Sequence, residues 1–531
     1  MAYYSVSTVY QQYQTLIDQN QQIQIKGWIR TIRCQKDTTF LSVNDGSTLK
    51  NIQIVFNTNI LNEQQKNDLT YGSSVIINGN LIQSPSPSQP FELIVILESD
   101  ITVCGSIIGT NPLPAKGKIT LEYLRTILHL RVRSNTFGAI ARMRHQLAMA
   151  THDYYGKIKG FVLVAPPQIT QNDCEGGGEA FQVTTLLSDK EKIVRAIQNN
   201  KIECVDGIYK KFNKQTKEYD ILSEQKSVVL SDKISYSEDF FKAPAYLTVS
   251  GQLALETYCL ALGGVYCYQS AFRADPSQTS RHVAEFTMLE VEIPFADLSD
   301  NMDLAEGYIK HCIRHLLTES ATDMEFLDQY YYQKRPDSDK FVGKTLLEYL
   351  TNLLETDFAR MKYSEVMSTL LAVQSDGHKF DVPLPESGVF DLKSEHERYL
   401  TDVVLKKPVF VTHYPKEIKA FYMKESEQID PILNVTTVEC CDLLVPGIGE
   451  VLGGSCRTSS YDKLREAMMN HGLIDINGKS DLDYYLDLRK FGTVEHCGFG
   501  IGMSRLLMML TGMENIRDMI EFPRTIGAIS F

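Results

Sequence analysis

Two blocks of this chain combine cations, an aromatic ring and glycines. The first runs Phe272-Arg273-Ala274-Asp275, then Thr279-Ser280-Arg281-His282-Val283-Ala284-Glu285-Phe286. The second is Gly498-Phe499-Gly500-Ile501-Gly502-Met503-Ser504-Arg505. Guanidinium groups hold phosphates and carboxylates through forked N–H donors. An aromatic face accepts a purine by stacking, and glycines let a ligand come close to the backbone. The chemistry on offer is the binding of a nucleoside triphosphate. Neither block has the glycine spacing of a Walker loop or a dinucleotide fold.

Arg273 follows an apolar strand segment, Val265 to Phe272, and can hold an α-phosphate together with the carboxylate that attacks it. Arg281 and His282 lie in the loop beyond, where cations meet outer phosphates. Phe286 can stack under adenine, and Asp275 can accept from its amino group. Arg505 opens a helix expected from about Met503 to Thr511, where it can cover the other face of the base and reach the γ-phosphate. A third block runs from Asp442 through Glu450 to Arg457. Asp442 and Glu450 suit Mg²⁺, which takes one or two carboxylates beside phosphate oxygens and water. Arg457 can grip the polar end of a second substrate. Each block alone also reads as ordinary structure: a solvated hairpin, a glycine turn, a buried strand. Together they favour the chemical reading.

These residues need elements to carry them. Residues 1–21 read as a polar arm, and residues 22–104 as five short strands with period-two alternation, the pattern of a small OB barrel. Trp28 is assigned to the barrel core. Phe40 reads equally as a stacking face or as core. A Gly/Pro-bearing hinge covers 105–133, and an α+β catalytic body with an antiparallel sheet covers 134–531, with a charged insertion at 188–238.

The 531 residues suggest two to four domains. The net charge of −13 argues against indiscriminate nucleic-acid coating. Residues 21–60 nevertheless carry five cations (Lys26, Arg30, Arg33, Lys36, Lys50) against Asp37 and Asp45, a local excess of +3. Eleven cysteines without a CxxC pair fit free thiols in a reducing compartment. The N-terminus lacks a secretory pattern, and no stretch has the length of an apolar membrane span, so a cytoplasmic location without membrane contact is expected.

The first two blocks resemble motifs 2 and 3 of a class II aminoacyl-tRNA synthetase. From about residue 22 to Phe531, outside 188–238, the chain is similar to the asparaginyl enzymes of class IIb. Lys26-Gly27-Trp28-Ile29-Arg30 through Val43-Asn44-Asp45-Gly46 resembles their anticodon-binding barrel. Gly160 to Val183 resembles motif 1 and its loop, and the ending Phe522-Pro523-Arg524-Thr525 matches asparaginyl members. The resemblance implies ATP held by Arg273, Asp275, Arg281, His282, Phe286, Glu450, Gly502 and Arg505, with Arg273, Glu450 and Arg505 catalytic. It implies Mg²⁺ at Asp442 and Glu450, and the amino acid at Glu179, Gln252, Glu290 and Arg457. It implies anticodon contacts at Phe40, Arg30 and Arg33, Pro167 near a homodimer interface, and as partners ATP, L-asparagine and tRNA(Asn).

Aspartate is the alternative substrate, since the two side chains nearly match in size. Aspartyl relatives carry Gln-Leu-Tyr-Lys where this chain has Gln252-Leu253-Ala254-Leu255. A carboxylate beside Leu255 would lack its cation. Glu290 resembles the reader of the amide NH₂ and would repel a carboxylate.

Overall fold

The computed structural model describes the chain except residues 1, 115–116, 118, 172–179, 189–201, 206–207, 213–218, 224–235, 237–238, 337–342, 386–387, 476–477 and 530–531.

The N-terminal strands close on themselves. Gln22–Gln35 pairs with both Thr38–Asn44 and Ser74–Gln83, and Ile52–Asn57 and Phe91–Ile94 complete a five-stranded barrel. Ile23, Ile25, Ile29, Leu41, Val43, Ile54 and Ile77 fill its interior. The arm is ordered against it. Ala2–Tyr3 adds a parallel edge to Gln22–Gln35, and the helix Val6–Asp18 lays Val6, Val9 and Leu16 on the barrel core. Trp28 corrects the sequence reading. Alternation places it outward between buried Gly27 and Ile29, and it is 44% exposed.

After the strand Ile101–Gly105, two short helices, Leu121–Thr126 and Leu128–Arg131, lead to Asn135–His152, which Ser134 caps at Phe137 N. Arg142 of that helix joins the two halves. It donates to Gly46 O of the barrel at 2.9 Å and pairs with Asp323 at 2.6 Å.

Among the described residues, the catalytic body is built on an eight-stranded sheet. Its order is Ala359–Lys362, Val409–Thr412, Cys440–Val445, Gly449–Cys456, His496–Gly502, Glu285–Pro294, Val265–Phe272, Val162–Leu163. The two outer pairings are parallel and the inner ones antiparallel. Helices Asn135–His152, Leu298–Glu319 and Met503–Thr511 cover one face through a shared core that includes Leu147, Tyr308, Ile309, Ile501 and Leu507. The other face carries the site. The strand expected over 160–167 shortens to Val162–Leu163. Within 188–238 the described residues form a small antiparallel sheet, Ile202–Val205, Ile208–Phe212 and Tyr219–Ser223.

Candidate functional site

Period two builds the floor of the site. On Glu285–Pro294, the residues Phe286, Met288, Glu290 and Glu292 point into one crevice of about 410 Å³. The adjoining strand makes room for them. Glu290 lies opposite Gly500, and Glu292 opposite Gly498. A Cβ on Gly498 would fall 2.2 Å from Glu292 Oε1, and one on Gly500 would fall 2.8 Å from Met288 Cε. Two of the three motif glycines therefore accommodate neighbouring side chains rather than a ligand. Gly502 alone faces open space, its nearest neighbour being the Arg505 side chain at 4.0 Å.

The crevice gathers Gln252, Arg273, Asp275, Arg281, His282, Phe286, Glu290, Asp442, Glu450, Arg457, Gly502 and Arg505 from segments spread over 250 residues of chain. Arg273 leaves the end of Val265–Phe272, its backbone N bonded to Ala284 O at 3.0 Å and its guanidinium 5.7 Å from the Phe286 ring. Arg281 donates to Gly447 O at 3.3 Å. Burial and the neighbouring Arg398 and Arg505 lower its pKa, and burial with Arg505 lowers that of His282. This crowding of cations is the signature of a pocket shaped for an anion. Arg505 leans on Glu450, its Nη1 bonded to the backbone O at 3.1 Å and 3.9 Å from Oε2.

Asp442 and Glu450 stand on paired strands and converge. A Cβ on Gly453 would lie 3.4 Å from Asp442 Oδ1 and 3.7 Å from Glu450 Oε1. Burial and the Asp442 charge raise the pKa of Glu450, against Arg505, Lys419 and Arg273. Two carboxylates that approach one point from paired strands, one raised by the charge of the other, suit a hard divalent cation.

The far end of the crevice is built differently. Arg457 is 3% exposed and pairs with Glu292 through Nη2, with Ser455 Oγ at 2.6 Å on Nη1. Burial pushes Glu292 up to about 7, and Glu256 adds to the shift against Arg457. Glu290 accepts from Ser250 Oγ, from Gly251 N at 2.9 Å and from Cys267 Sγ at 3.3 Å. Gln252 donates Nε2 to Glu256 at 3.0 Å.

Several sequence expectations fall elsewhere. Leu255 does not line the crevice. It is fully buried in a separate apolar cluster with Val164, Cys259, Val265 and Cys267. Glu179 lies outside the described residues. Arg30 turns to the joint, where it donates to Arg133 O. Arg33 and Phe40 are cross-strand partners on the barrel, guanidinium over ring at 5.2 Å, with Arg33 exposed and Phe40 half-buried. Pro167 is exposed.

Four neighbours escaped the motif reading. Lys419 holds Asp442 at 2.6 Å and sits 3.9 Å from the Tyr414 ring centroid. Burial works against its charge, yet Asp442 keeps its pKa raised. Glu397, pushed up to about 7 by burial and then by Glu450 and Asp442, stands beside the carboxylate pair. Glu292 was visible as the same-face neighbour of Glu290. Glu256 carried no local signal beyond its four-residue spacing from Gln252.

An antiparallel sheet flanked by helices, with a cation-lined crevice on its open face and a barrel at its N-terminal side, defines an adenylate-forming synthetase of class II. The comparisons agree. The family described as tRNA synthetases class II (D, K and N) matches residues 219–526, and the OB-fold nucleic acid binding domain matches residues 23–99. An asparagine–tRNA ligase of Desulfitobacterium hafniense is 42% identical over 96% of both chains. One from Clostridium tetani is 41% identical over 99% of both. The crystal structure of the asparaginyl-tRNA synthetase of Pyrococcus horikoshii, complexed with asparaginyl-adenylate, superposes with a TM-score of 0.72 at 28% identity, covering 97% of this chain and 98% of that one. The chain belongs to the asparagine–tRNA ligase family of class II synthetases.

Proposed function

We propose that the crevice activates L-asparagine with ATP and passes it to tRNA(Asn). The asparagine carboxylate attacks the α-phosphorus, pyrophosphate leaves, and a ribose hydroxyl of the tRNA then displaces AMP from the adenylate. The observation that carries this reading is the polarity of one cavity. Arg273, Arg281, His282 and Arg505 line one part, whereas Glu290, Glu292 and the already paired Arg457 line the other.

ATP lies along the cations, with adenine on Phe286 and under Arg505, Asp275 at its amino group and Gly502 at its edge. Arg273 bears charge that develops on the α-phosphate, and catalysis is positioning and electrostatic stabilisation without a covalent enzyme intermediate. Asp442 and Glu450 would hold Mg²⁺, which supplies neutralisation of phosphate charge when bound. Gln252, Glu290 and Arg457 contact asparagine, with Arg457 donating to the amide oxygen and Glu290 accepting from its NH₂. Arg33 and Phe40 stack and hold an anticodon base; such contacts are made to unpaired bases rather than to duplex grooves. We assign the protein to a cytoplasmic homodimer with Pro167 near the dimer contact. No described helix is long and apolar enough to cross a membrane.

The test is asparagine-dependent exchange of labelled pyrophosphate into ATP. Wild-type protein is expected to exchange, and Arg273→Gln to lose at least about a hundredfold in kcat, in line with removal of a single preorganised charge donor. Exchange in the variant at wild-type rate would refute the assignment.

A further inference from the structure

Behind the amino-acid end of the crevice lies a buried ionic cluster that the reaction above does not use. Glu256, on the helix Gln252–Leu262, is completely buried. Its carboxylate accepts from Tyr485 OH at 2.8 Å, Arg489 Nη2 at 2.9 Å, His496 Nε2 at 3.0 Å and Gln252 Nε2 at 3.0 Å. It also stands 3.9 Å from Arg457 Nε. Arg457 is thus flanked by two carboxylates, Glu292 on its outer edge and Glu256 behind it.

We propose that Glu256 is a positioning residue that sets the preference for asparagine over aspartate. It does so in two ways. First, it shares the charge of Arg457 before substrate arrives. A guanidinium already matched by buried carboxylates donates well to a neutral amide oxygen but gives little net attraction to a second carboxylate, whose desolvation then goes uncompensated. Secondly, it fixes the Gln252 amide. With Nε2 committed to Glu256, the Gln252 oxygen is the group left to face the crevice as an acceptor. Both effects favour the amide.

The position of Leu255 strengthens the case. That residue is packed in a separate apolar cluster, so it supplies neither contact nor field at the substrate side chain. Its neighbour Glu256 is turned about 100° around the helix, and its carboxylate stands by Arg457. Burial opposes the charged form of Glu256, yet Arg489, His496 and Arg457 hold its pKa well below the usual carboxylate range. It is a fixed negative charge rather than a switch.

The inference rests on the asparagine reading above, and the experiment separates the two. ATP–pyrophosphate exchange is measured with asparagine and with aspartate, for wild type, Glu256→Gln, Glu256→Asp and the double variant Glu256→Gln with Arg489→Gln. Glu256→Gln removes one negative charge behind Arg457. The ratio of kcat/KM for aspartate to that for asparagine is expected to rise at least tenfold, through a lower KM for aspartate. The double variant removes one charge of each sign and is expected to return toward the wild-type ratio. Glu256→Asp keeps a partner for Arg489 but draws the charge back from Arg457, so a smaller rise is expected even if Glu256→Gln does not fold. An equal loss with both amino acids in these variants, or a change in kcat alone, would reduce Glu256 to a structural residue and overturn the inference. Absence of asparagine-dependent exchange in the wild type would instead overturn the reading it rests on.

Discussion

At the scale of single residues, local patterns carried a long way. Arg273, Phe286, Glu450 and Arg505 all reach one crevice because each sits at a strand terminus or in the first turn of a helix, and such boundaries are set by short-range signals. What could not be read were partners joined across the chain. The pairing of Glu256 with Arg489 spans 233 residues, and Lys419 meets Asp442 only because the turn after Lys416–Ile418 comes down on the strand Cys440–Val445. Leu255 failed because its surroundings are also set across the chain: it packs on Val164, Val265 and Cys267 of neighbouring strand segments instead of lining the crevice. One expectation at this scale concerns pH. Glu292 is held near 7, whereas an unfolded glutamate titrates near 4.5. Between those values the folded state binds the extra proton, so this residue's contribution to stability falls as pH rises from about 5 to about 7 and stays low above. Thermal unfolding of wild type and Glu292→Gln across that window should show a Tm slope in the wild type that the variant lacks; parallel slopes would dissociate Glu292 from the effect.

At the scale of elements, the register of His496–Gly502 against Glu285–Pro294 decides the shape of the floor. The glycine-rich string reads from sequence as a nucleotide loop, and the structure gives most of it to packing, since Gly498 and Gly500 sit under Glu292 and Met288. Gly498→Ala would drive a methyl into Glu292 Oε1 and into Val291 O, 2.3 Å away. Backbone cannot yield as a flexible side chain can, so a loss of roughly 1–3 kcal/mol is expected from overpacking alone. Exchange should fall with it, as Arg457 loses its partner geometry. Gly502→Ala meets open space and is expected to leave the unfolding temperature within about a degree while raising KM for ATP. Equal destabilisation by both changes would contradict the register account.

At the scale of the whole molecule, the barrel and the catalytic body have separate cores, joined by Arg142 bridging Gly46 O and Asp323, by Arg30 on Arg133 O and by Tyr71 packed on the catalytic core. The barrel was legible because five short alternating strands leave few other closures, while its outward face was less so: Trp28 and Phe40 are both aromatic strand residues, and only the register shows which side each takes. The division of labour implies a division of phenotypes. Phe40→Ala should leave exchange with ATP and asparagine intact, and raise KM for tRNA roughly tenfold, as expected for a lost base stack of about 1–3 kcal/mol. A matching fall in exchange would place Phe40 in the fold rather than in recognition.

The claim on which all of this depends is an orientation: phosphate at the cations, amide at the paired guanidinium. A crystal structure with a non-hydrolysable asparaginyl-adenylate analogue tests it in one map. The account expects the adenine against Phe286, the phosphate-mimicking group at Arg273 and the amide oxygen at Arg457. An analogue bound in the reverse sense, or outside the crevice, would contradict it.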